Sequence, residues 1–396
     1  MPPKLTDRTR RIQISPTIAI MAEARKLQAA GVDVVDLGPG EPDFPTPEVI
    51  AEAGIRAIRD GFTKYTDSSG MPELRRAIAE KYNASYGTDY KLSEVIVGSG
   101  GKQPLYNACQ ALFENGDEVL IPAPYWVSFP EMVRLADATP VLVETDPEDG
   151  FAPRFERIER AWTDRTRGVI LCSPSNPHGG IVDPADLEKI VELAASRDAT
   201  VVFDECYEEF VYDKPHVSPA PLAKRFRDTV VLSGTFSKTF AMTGWRVGYM
   251  VGPEKVIAAM GKIQSHSTTN ASSLAQKAAL AALSPEGRAS IVPMIEEYRR
   301  RREVIVPGIG EIPGFRCRPP EGAFYVFPES KALYGKRGIT DSLSLSRALL
   351  DEARVAIVPG SAFGFDDHIR LSFATSMDRI EEGLARIRRF VEKLGD

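Results

Sequence analysis

Cysteine and histidine are scarce in this sequence, with four of each in 396 residues. The cysteines are scattered and none belongs to a Cys-x-x-Cys pair, which argues against a disulfide framework. We expect reduced, packed side chains at Cys109, Cys172, Cys206 and Cys317. The histidines, at positions 178, 216, 266 and 368, lack the spacing of metal ligands, so no metal site is predicted.

Long apolar runs and an excess of positive charge are also missing. No stretch approaches the roughly 18 apolar residues of a membrane-spanning helix, and the first residues contain no apolar signal-peptide region. With 49 Lys and Arg against 55 Asp and Glu, the formal net charge is -6, which does not favour nucleic acid or an anionic membrane as a partner. The sequence therefore predicts a cytoplasmic protein whose ligands are small molecules.

The chain does have ordinary globular composition, with 43% hydrophobic and 26% charged residues. Its middle repeats one pattern, in which a short Val/Ile/Leu run is followed by turn residues and then by a longer amphipathic stretch. This pattern is typical of buried parallel strands joined by helical crossovers, in an α/β fold. Seven runs predict one mostly parallel seven-stranded sheet flanked by helices, with strands at 94–97, 118–121, 140–143, 169–171, 201–203, 230–232 and 247–251.

The pattern changes near residue 290, where we place a domain boundary. A long charged amphipathic helix is predicted there, followed by shorter strands at 323–327 and 356–358. The arginines at 299–302 are spread around that helix and flanked by glutamates, which predicts a solvated helix face. The N-terminal residues are expected to join the C-terminal part in a smaller α+β domain. The predicted units are 1–47, 48–290 and 291–396.

Ligands of open parallel sheets bind beyond the carboxyl ends of the strands, and here those positions carry polar residues. After the run 94–97 come Gly100, Gly101 and Lys102, with a helix predicted from Gln103. Glycines allow close backbone approach and a helix start offers free N–H groups, which together favour a phosphate cradle. An ordinary turn explains the same segment when it is taken alone.

Two further strand ends place an aromatic ring and an amide at the same edge. Trp126 follows the run 118–121, where its ring either stacks on a planar cofactor or packs in the core. Asn176 lies in the turn after 169–171, and its bond to the following proline is a candidate for the cis form. A plain loop accounts for that turn equally well.

A carboxylate and an amine complete the set. Asp204 ends the apolar run 201–203, and a buried charge there needs a partner, either an arginine or helix cap or a cationic cofactor nitrogen. Lys238 follows the run 230–232 and is either an exposed loop lysine or a poorly solvated nucleophile. A lysine, a carboxylate and a phosphate cradle at one edge are what pyridoxal phosphate requires.

These residues resemble a known family. The segment 233–249, which contains Lys238, is similar to the lysine-attachment segment of class I, fold-type I pyridoxal phosphate aminotransferases. Further similar segments follow in family order over nearly the whole chain, at 40–43, 64–65, 124–126, 175–177, 204–207 and 370–376. The resemblance is closest to the bacterial aspartate and prephenate aminotransferases.

The resemblance implies cofactor-binding roles. Lys238 is expected to form the Schiff base and later to move the substrate proton, and Asp204 to pair with the ring nitrogen. Trp126 is expected to stack on the ring, while Tyr207 and Asn176 bond its hydroxyl oxygen. The phosphate is expected to be held by Gly100, Gly101, Thr235, Ser237, Arg246 and, from the second subunit of a homodimer, Tyr65.

It also implies substrate-binding roles. Arg370 is expected to clamp the α-carboxylate of an amino acid, beside Trp126 and Asn176, and Gly40 lies in the segment that closes over it. A lysine in the position of Lys102 resembles the subgroup that binds the distal carboxylate of an acidic substrate. The hydroxyls of Ser15 and Thr17 are expected to assist it.

Three positions depart from the family pattern. Gln13 stands where prephenate-using relatives tend to carry a lysine, and His178 replaces a common threonine after the Asn-Pro pair. Thr235 stands where glycine or serine is usual, with a hydroxyl retained.

The resulting hypothesis is a homodimeric aminotransferase that moves the amino group of aspartate to 2-oxoglutarate by a ping-pong mechanism. The alternatives are an aromatic or prephenate aminotransferase and a pyridoxal phosphate β-lyase. A hypothesis of another class is a non-catalytic, effector-sensing domain of this fold, which would require a DNA-binding extension that the first 37 residues are too short to contain.

Overall fold

The computed structural model describes residues 3–12 and 16–395, with residues 16–19 described by their backbone alone. Gln13 and Ser15 lie outside the described residues, as does the side chain of Thr17. The α-helices of the described chain are α1 (Asp7–Arg11), α2 (Pro16–Ala29), α3 (Glu48–Arg59), α4 (Pro72–Tyr86), α5 (Lys102–Leu112), α6 (Ser128–Leu135), α7 (Phe155–Ala161), α8 (Pro184–Ser196), α9 (Glu254–Ser265), α10 (Ser273–Ala282), α11 (Pro285–Ala289), α12 (Val292–Gly310), α13 (Ser342–Ala348) and α14 (Met377–Gly395).

The strands build one large sheet and two small ones. They are β1 (Val35–Asp36), β2 (Val95–Gly98), β3 (Glu118–Ala123), β4 (Thr139–Glu144), β5 (Thr166–Cys172), β6 (Thr200–Asp204), β7 (Val230–Thr235), β8 (Gly248–Val251), β9 (Tyr325–Val326), β10 (Val355–Ala356), β11 (Val358–Pro359) and β12 (Ile369–Ser372). The large sheet has seven strands in the order β2-β8-β7-β6-β5-β3-β4. All seven predicted runs are in it, so the predicted sheet is confirmed, with β8 antiparallel to both of its neighbours.

Side-chain alternation along the strands produces two hydrophobic layers, one on each face of the large sheet. Val201 and Phe203 of β6 belong to one layer, whereas Val202 between them belongs to the other. The first layer includes buried residues of α4, α8 and α10, and the second those of α5, α6 and α9. Helices on both faces explain why the strands read as continuous apolar runs.

The last two predicted strands are only partly correct. The run 323–327 contains the short strand β9, but 356–358 is not one strand. The strand is interrupted at Ile357, with β10 before it in one small sheet and β11 after it in the other. The two partners explain the break, since β10 pairs in parallel with β1 near the N-terminus and β11 pairs with β12. Alternation cannot reveal such an exchange of partners.

The arginine run of α12 is not a uniformly solvated face, and that prediction is wrong for Arg301 and for Arg302, whose side chain is 13% exposed. The side chain of Arg301 is only 6% exposed and donates to Oδ1 of Asp43 at 2.7 Å and to Oε1 of Glu297 at 3.1 Å. Arg300, one position earlier, is 70% exposed. The carboxylate of Asp43, which lies far away in the sequence, is what permits the burial of Arg301.

No α-helix within 3–12 or 16–395 is both long and apolar enough to cross a lipid bilayer.

We expect Arg301→Met to lower the free energy of unfolding by about 2–3 kcal/mol, because it leaves the partly buried carboxylate of Asp43 without its cation, whereas Glu297 still pairs with Arg300. Arg300→Met, on the same helix, is the matched control and should change it by less than about 1 kcal/mol. Urea unfolding followed by circular dichroism measures both. Equal losses in the two variants would contradict a stabilising role for the Asp43–Arg301 pair.

Candidate active site

A cavity of about 480 Å³ lies at the carboxyl edge of the seven-stranded sheet. Its walls come from the loops after the strands, from residues 38–41 and from the region of β9 and β12. Most of the residues predicted from the sequence line it together. They are Gly40, Gly101, Lys102, Trp126, Asn176, Asp204, Tyr207, Thr235, Ser237, Lys238, Arg246 and Arg370.

The glycine pair before α5 forms a tight cradle beside a cation. Gly100 has a φ of +72°, and a Cβ there would lie 2.3 Å from Nη2 of Arg246. A Cβ on Gly101 would lie 3.1 Å from Cβ of Thr235. Since α5 begins at Lys102, its first N–H groups are at the same point. Glycine is therefore required at position 100 both by the backbone and by the space, and the cradle suits an anion.

The cation and the hydroxyls of the cradle are held in place by local hydrogen bonds. Arg246 donates from Nη1 to the carbonyl oxygen of Thr243 at 2.9 Å. Thr235 donates to Oγ of Ser237 at 3.0 Å and accepts from the backbone N–H of Ser237 at 3.1 Å. Hydroxyl and guanidinium groups thus converge with helix N–H groups on one part of the cavity.

Lys238 lies in the loop after β7 and donates from Nζ to the carbonyl oxygen of Gly40. Burial lowers the pKa of the Lys238 ammonium. Cys206 and Glu41 act to raise this pKa, whereas the positive charge of Arg370 acts to lower it further. A lowered pKa increases the fraction of neutral amine, the form that attacks a carbonyl carbon. Of the two interpretations of Lys238, the structure therefore favours a poorly solvated lysine over an exposed loop lysine.

Asp204 ends β6 with its side chain in the cavity wall and is only 6% exposed. Its Oδ1 accepts the backbone N–H of Cys206 at 3.2 Å, and no Lys, Arg or His among the described residues forms an ion pair with it. Burial raises the pKa of the Asp204 carboxyl to about 7. The hydrogen bond from Cys206 acts to lower this pKa, and the charge of Glu205 acts to raise it. The negative charge of Asp204 therefore has to be balanced by a positive group bound in the cavity.

Arg370 of β12 is buried with part of its hydrogen-bonding capacity unused. It donates from Nη1 to Oδ1 of Asn176 at 3.0 Å and from Nη2 to the carbonyl oxygen of Gly38 at 2.6 Å. Its Nε is buried and lacks a partner within the described chain. The guanidinium lies 4.4 Å from the ring centroid of Tyr325, which fixes its plane. This geometry is ready for a carboxylate.

A second cation lies across the cavity beside an aromatic ring. Nζ of Lys102 is 4.9 Å from the ring centroid of Trp126. Burial, followed by the nearby charge of Arg246, lowers the pKa of Lys102. The charge of an anionic ligand group would stabilise the ammonium against both of these influences, so the position favours an anion.

Tyr207 and Asn176 have partners other than a ligand in this structure. The hydroxyl groups of Tyr207 and Tyr325 are 2.8 Å apart, and Asn176 accepts from Arg370. Tyr65 does not line the cavity of its own chain, and 89% of its surface is exposed. The predicted role of Tyr65 concerns a second subunit and stays a prediction.

Several cavity residues did not emerge from the sequence, including Cys172, Cys206, Tyr325, Glu41 and Phe363. Cys172 and Cys206 are free thiols, as predicted, but they belong to the cavity wall and not to the core alone. Their positions at the ends of β5 and β6 were an available signal. Tyr325 and Phe363 carried none, because only tertiary contacts bring them to the large sheet.

Comparison with known proteins identifies the family of this chain. Residues 32–387 match the family described as aminotransferase class I and II. The chain belongs to this family. Aminotransferases of this kind use pyridoxal 5'-phosphate, so the predicted enzyme class and cofactor are confirmed.

The relatives agree with this membership over their full length. The chain is 44% identical to an aspartate aminotransferase from Bacillus subtilis (strain 168), covering 98% of this chain and 99% of the relative. It is 45% identical to an aspartate/prephenate aminotransferase from Cereibacter sphaeroides, over 98% of each chain. The solved structure of the Thermus thermophilus aspartate aminotransferase with maleate has a TM-score of 0.93 at 42% identity, covering 98% and 100% of the two chains. The predicted fold-type I architecture is confirmed.

We expect the unpaired charge of Asp204 to destabilise the cofactor-free aminotransferase as the pH rises. The unfolded chain loses this proton near the ordinary value of 3.8, whereas the folded chain keeps it to about pH 7. The unfolded state thus binds fewer protons between these values, and stability falls across that window. Asp204→Asn should therefore become more stable than wild type by up to about 4 kcal/mol above pH 7, and by little near pH 4.

Urea unfolding of the cofactor-free proteins at several pH values measures this difference. Asp164→Asn, at an exposed aspartate, is the control for the substitution. A difference between wild type and Asp204→Asn that stays constant from pH 4 to pH 8 would refute the raised pKa.

Proposed function

We propose that this aminotransferase moves the amino group of aspartate to 2-oxoglutarate by a ping-pong mechanism. The observation that carries the proposal is the placement of two cations, Arg370 and Lys102, in the cavity that holds Lys238 and Asp204. A substrate with two carboxylates satisfies both cations. The names of the relatives and the four-carbon dicarboxylate in the Thermus structure support the same substrate class.

The residues of the cavity fit pyridoxal 5'-phosphate. A Cβ on Gly100 would fill the space next to Arg246, so the cradle accommodates a phosphate only because this residue is glycine. Asp204 forms no ion pair with any described residue and suits the ring nitrogen. Thr235 and Ser237 add hydroxyls beside the phosphate, and the ring of Trp126 suits stacking on the pyridine. Tyr207 and Asn176 suit the ring hydroxyl oxygen.

Lys238 supplies both the attachment point and the proton transfer. Its lowered pKa favours the neutral amine that bonds to the aldehyde carbon of the cofactor. As a free amine, Nζ of Lys238 would take the proton from the α-carbon of a bound amino acid and hold it for return in the second part of the transfer. When bound, the cofactor supplies an electron sink for the electron pair left at the α-carbon. The second half-reaction uses the same groups in reverse.

Arg370, whose guanidinium is part of the cavity wall, binds the α-carboxylate through a charge-assisted pair. The backbone carbonyls of Gly38 and Gly40 accept hydrogen bonds from Arg370 and Lys238, which supports a role for Gly40 in the segment that closes over the substrate. Lys102 binds the distal carboxylate across the cavity. Ser15 and Thr17 remain proposed helpers of Lys102.

The remaining assignments are proposals of the same kind. The active unit is a homodimer in which Tyr65, exposed on its own chain, contacts the cofactor phosphate of the partner subunit. The domain limits are 1–47 with 291–396, around the large domain 48–290. The place of action is the cytoplasm.

We expect borohydride reduction of the cofactor-loaded enzyme to fix the cofactor on Lys238, because this lysine combines cavity position with a lowered pKa. Peptide mass mapping locates the adduct. Lys238→Ala should lose the adduct and its transaminase activity, whereas Lys102→Gln should retain the adduct. An adduct on another lysine of the wild-type enzyme would refute the assignment.

We expect Lys102→Gln to reduce kcat/KM for aspartate by about 10- to 100-fold, the loss of one charge-assisted hydrogen bond, while leaving that for alanine within about threefold. Lys262→Gln, at an exposed lysine of α9, is the matched control. Half-reactions followed by cofactor absorbance measure both substrates. Higher kcat/KM of the wild type for alanine or phenylalanine than for aspartate would defeat the acidic-substrate proposal.

The same half-reaction screen separates the alternatives. Prephenate as a good amino acceptor would place the chain with its aspartate/prephenate relatives. Release of pyruvate and ammonia would indicate a β-lyase, and the absence of any spectral change with all amino acids would indicate the effector-sensing domain.

A further inference from the structure

A second buried cluster of charged side chains lies behind Asp204, on the opposite face of the large sheet. Successive residues at a strand end point to opposite faces, so Glu205 points away from the cavity that Asp204 lines. Glu205 is 1% exposed, and its backbone N–H donates to the carbonyl oxygen of Ser233 at 2.9 Å. The position of this second carboxylate is therefore fixed by the sheet itself.

Side chains of a helix and of a loop occupy the carboxylate oxygens of Glu205, and the hydroxyl of Ser218 also donates to this carboxylate. Tyr82 of α4 donates its hydroxyl to Oε2 at 2.7 Å, and Nε2 of His216 lies 3.0 Å from Oε1. Only 9% of the His216 side chain is exposed. Its Nδ1 is buried with no hydrogen-bond partner in the described chain, so the ring is held through Nε2.

The other titratable groups of the cluster balance one another. Lys81 of α4 forms a buried ion pair with Glu208 and donates to the hydroxyl of Tyr249 at 3.0 Å. Tyr82, Tyr86 and Tyr249 are phenols whose pKa values are raised by burial, so they are neutral at neutral pH. The charge of Glu205 is therefore left for His216 to neutralise.

We propose that His216 is a positioning residue for the cofactor: its positive charge neutralises Glu205 and thereby keeps Asp204 ionised. The inference rests on the proposed pairing of Asp204 with the ring nitrogen, and it assigns the group that maintains Asp204 in its charged form.

The relative positions of Glu205, Asp204 and the ring nitrogen determine whether the carboxyl group or the nitrogen holds the shared proton. Glu205 lies on the far side of the strand, so its charge acts more strongly on Asp204 than on a group inside the cavity. An uncompensated Glu205 charge moves the proton shared by Asp204 and the ring nitrogen toward the carboxyl group. A protonated His216 cancels this influence and leaves the proton on the nitrogen, where the ring accepts electrons best.

The acid–base properties of the residues agree with this charge distribution. Burial acts to lower the pKa of His216, but the hydrogen bond and charge of Glu205 outweigh it and the net shift is upward. Burial acts to raise the pKa of Glu205, and the contacts with His216 reverse that direction. The charge of Glu205 in turn contributes to the raised pKa of Asp204.

The first test measures the protonation of His216 in the cofactor-free wild-type protein and requires no altered active site. The chain has only four histidines, so ring ¹³C NMR signals are assigned from four single His→Gln variants. We expect His216 to titrate above the ordinary value of 6.5. Titration at or below 6.5 overturns the proposal, whatever reaction the enzyme catalyses.

The second test uses enzyme loaded with pyridoxal 5'-phosphate labelled with ¹⁵N in the ring, whose chemical shift reports the nitrogen proton. His216→Gln retains a donor near the position of Nε2 but removes the charge. We expect the ratio of protonated to unprotonated nitrogen near neutral pH to fall about tenfold, the equivalent of one pKa unit. In the double variant with Glu205→Gln, the ratio should return to its wild-type value.

The double variant separates charge compensation from a structural role. If His216 only supports packing, removing its partner as well cannot restore the nitrogen proton, and that result overturns the proposal. An unchanged ratio in His216→Gln overturns it too. His266→Gln, at an exposed histidine after α9, is the matched control and should leave the ratio unchanged. A wild-type nitrogen that lacks its proton would instead refute the proposed role of Asp204.

Discussion

A carboxylate buried at the end of a strand, with no ion-pair partner among the described residues, is the constraint on which this site depends. Asp204 is only 6% exposed, and its charged form is costly in that setting. The cost is removed when a positive group enters the cavity, or reduced when the charges behind the strand are balanced. In the proposed arrangement, the cofactor nitrogen acts on this carboxylate from the cavity, and the Glu205–His216 pair acts on it from the opposite face of the sheet. Under this proposal, the protonation state of Asp204 depends on charged groups on both faces of the sheet.

The single antiparallel strand of the large sheet brings the other cations to the same edge. β7 ends at Thr235 beside the cavity, and β8, which runs in the opposite direction, begins there at Gly248. The chain between them therefore stays at the carboxyl edge, and it carries both Lys238 and Arg246. A parallel strand would have required a crossover to the far edge first. The reversed strand is thus the reason why one short segment supplies both the lysine and the guanidinium for which we propose roles in attaching the cofactor and binding its phosphate.

The residues that act from the cavity were predictable because strand ends are visible in a sequence. Asp204, Asn176 and Lys238 each follow an apolar run, and parallel strands bring such positions to one edge. The resemblance to aminotransferases added Arg370, whose strand had no signal of its own. The exchange of partners between β10 and β11 was not predictable, because the run 356–358 is equally apolar throughout and its division depends on β1, which is distant in sequence.

The residues packed on the opposite face of the sheet from the cavity could not be brought together from the sequence alone. Alternation alone places Glu205 opposite Asp204, but its partner His216 is 11 positions away in a loop, and Tyr82 is on a helix. Arg301 is similar, since only the folded chain brings Asp43 to it. Burying a charge demands a partner without specifying where in the chain that partner lies. A buried carboxylate next to a predicted catalytic residue is therefore a reason to look for a cation across the fold.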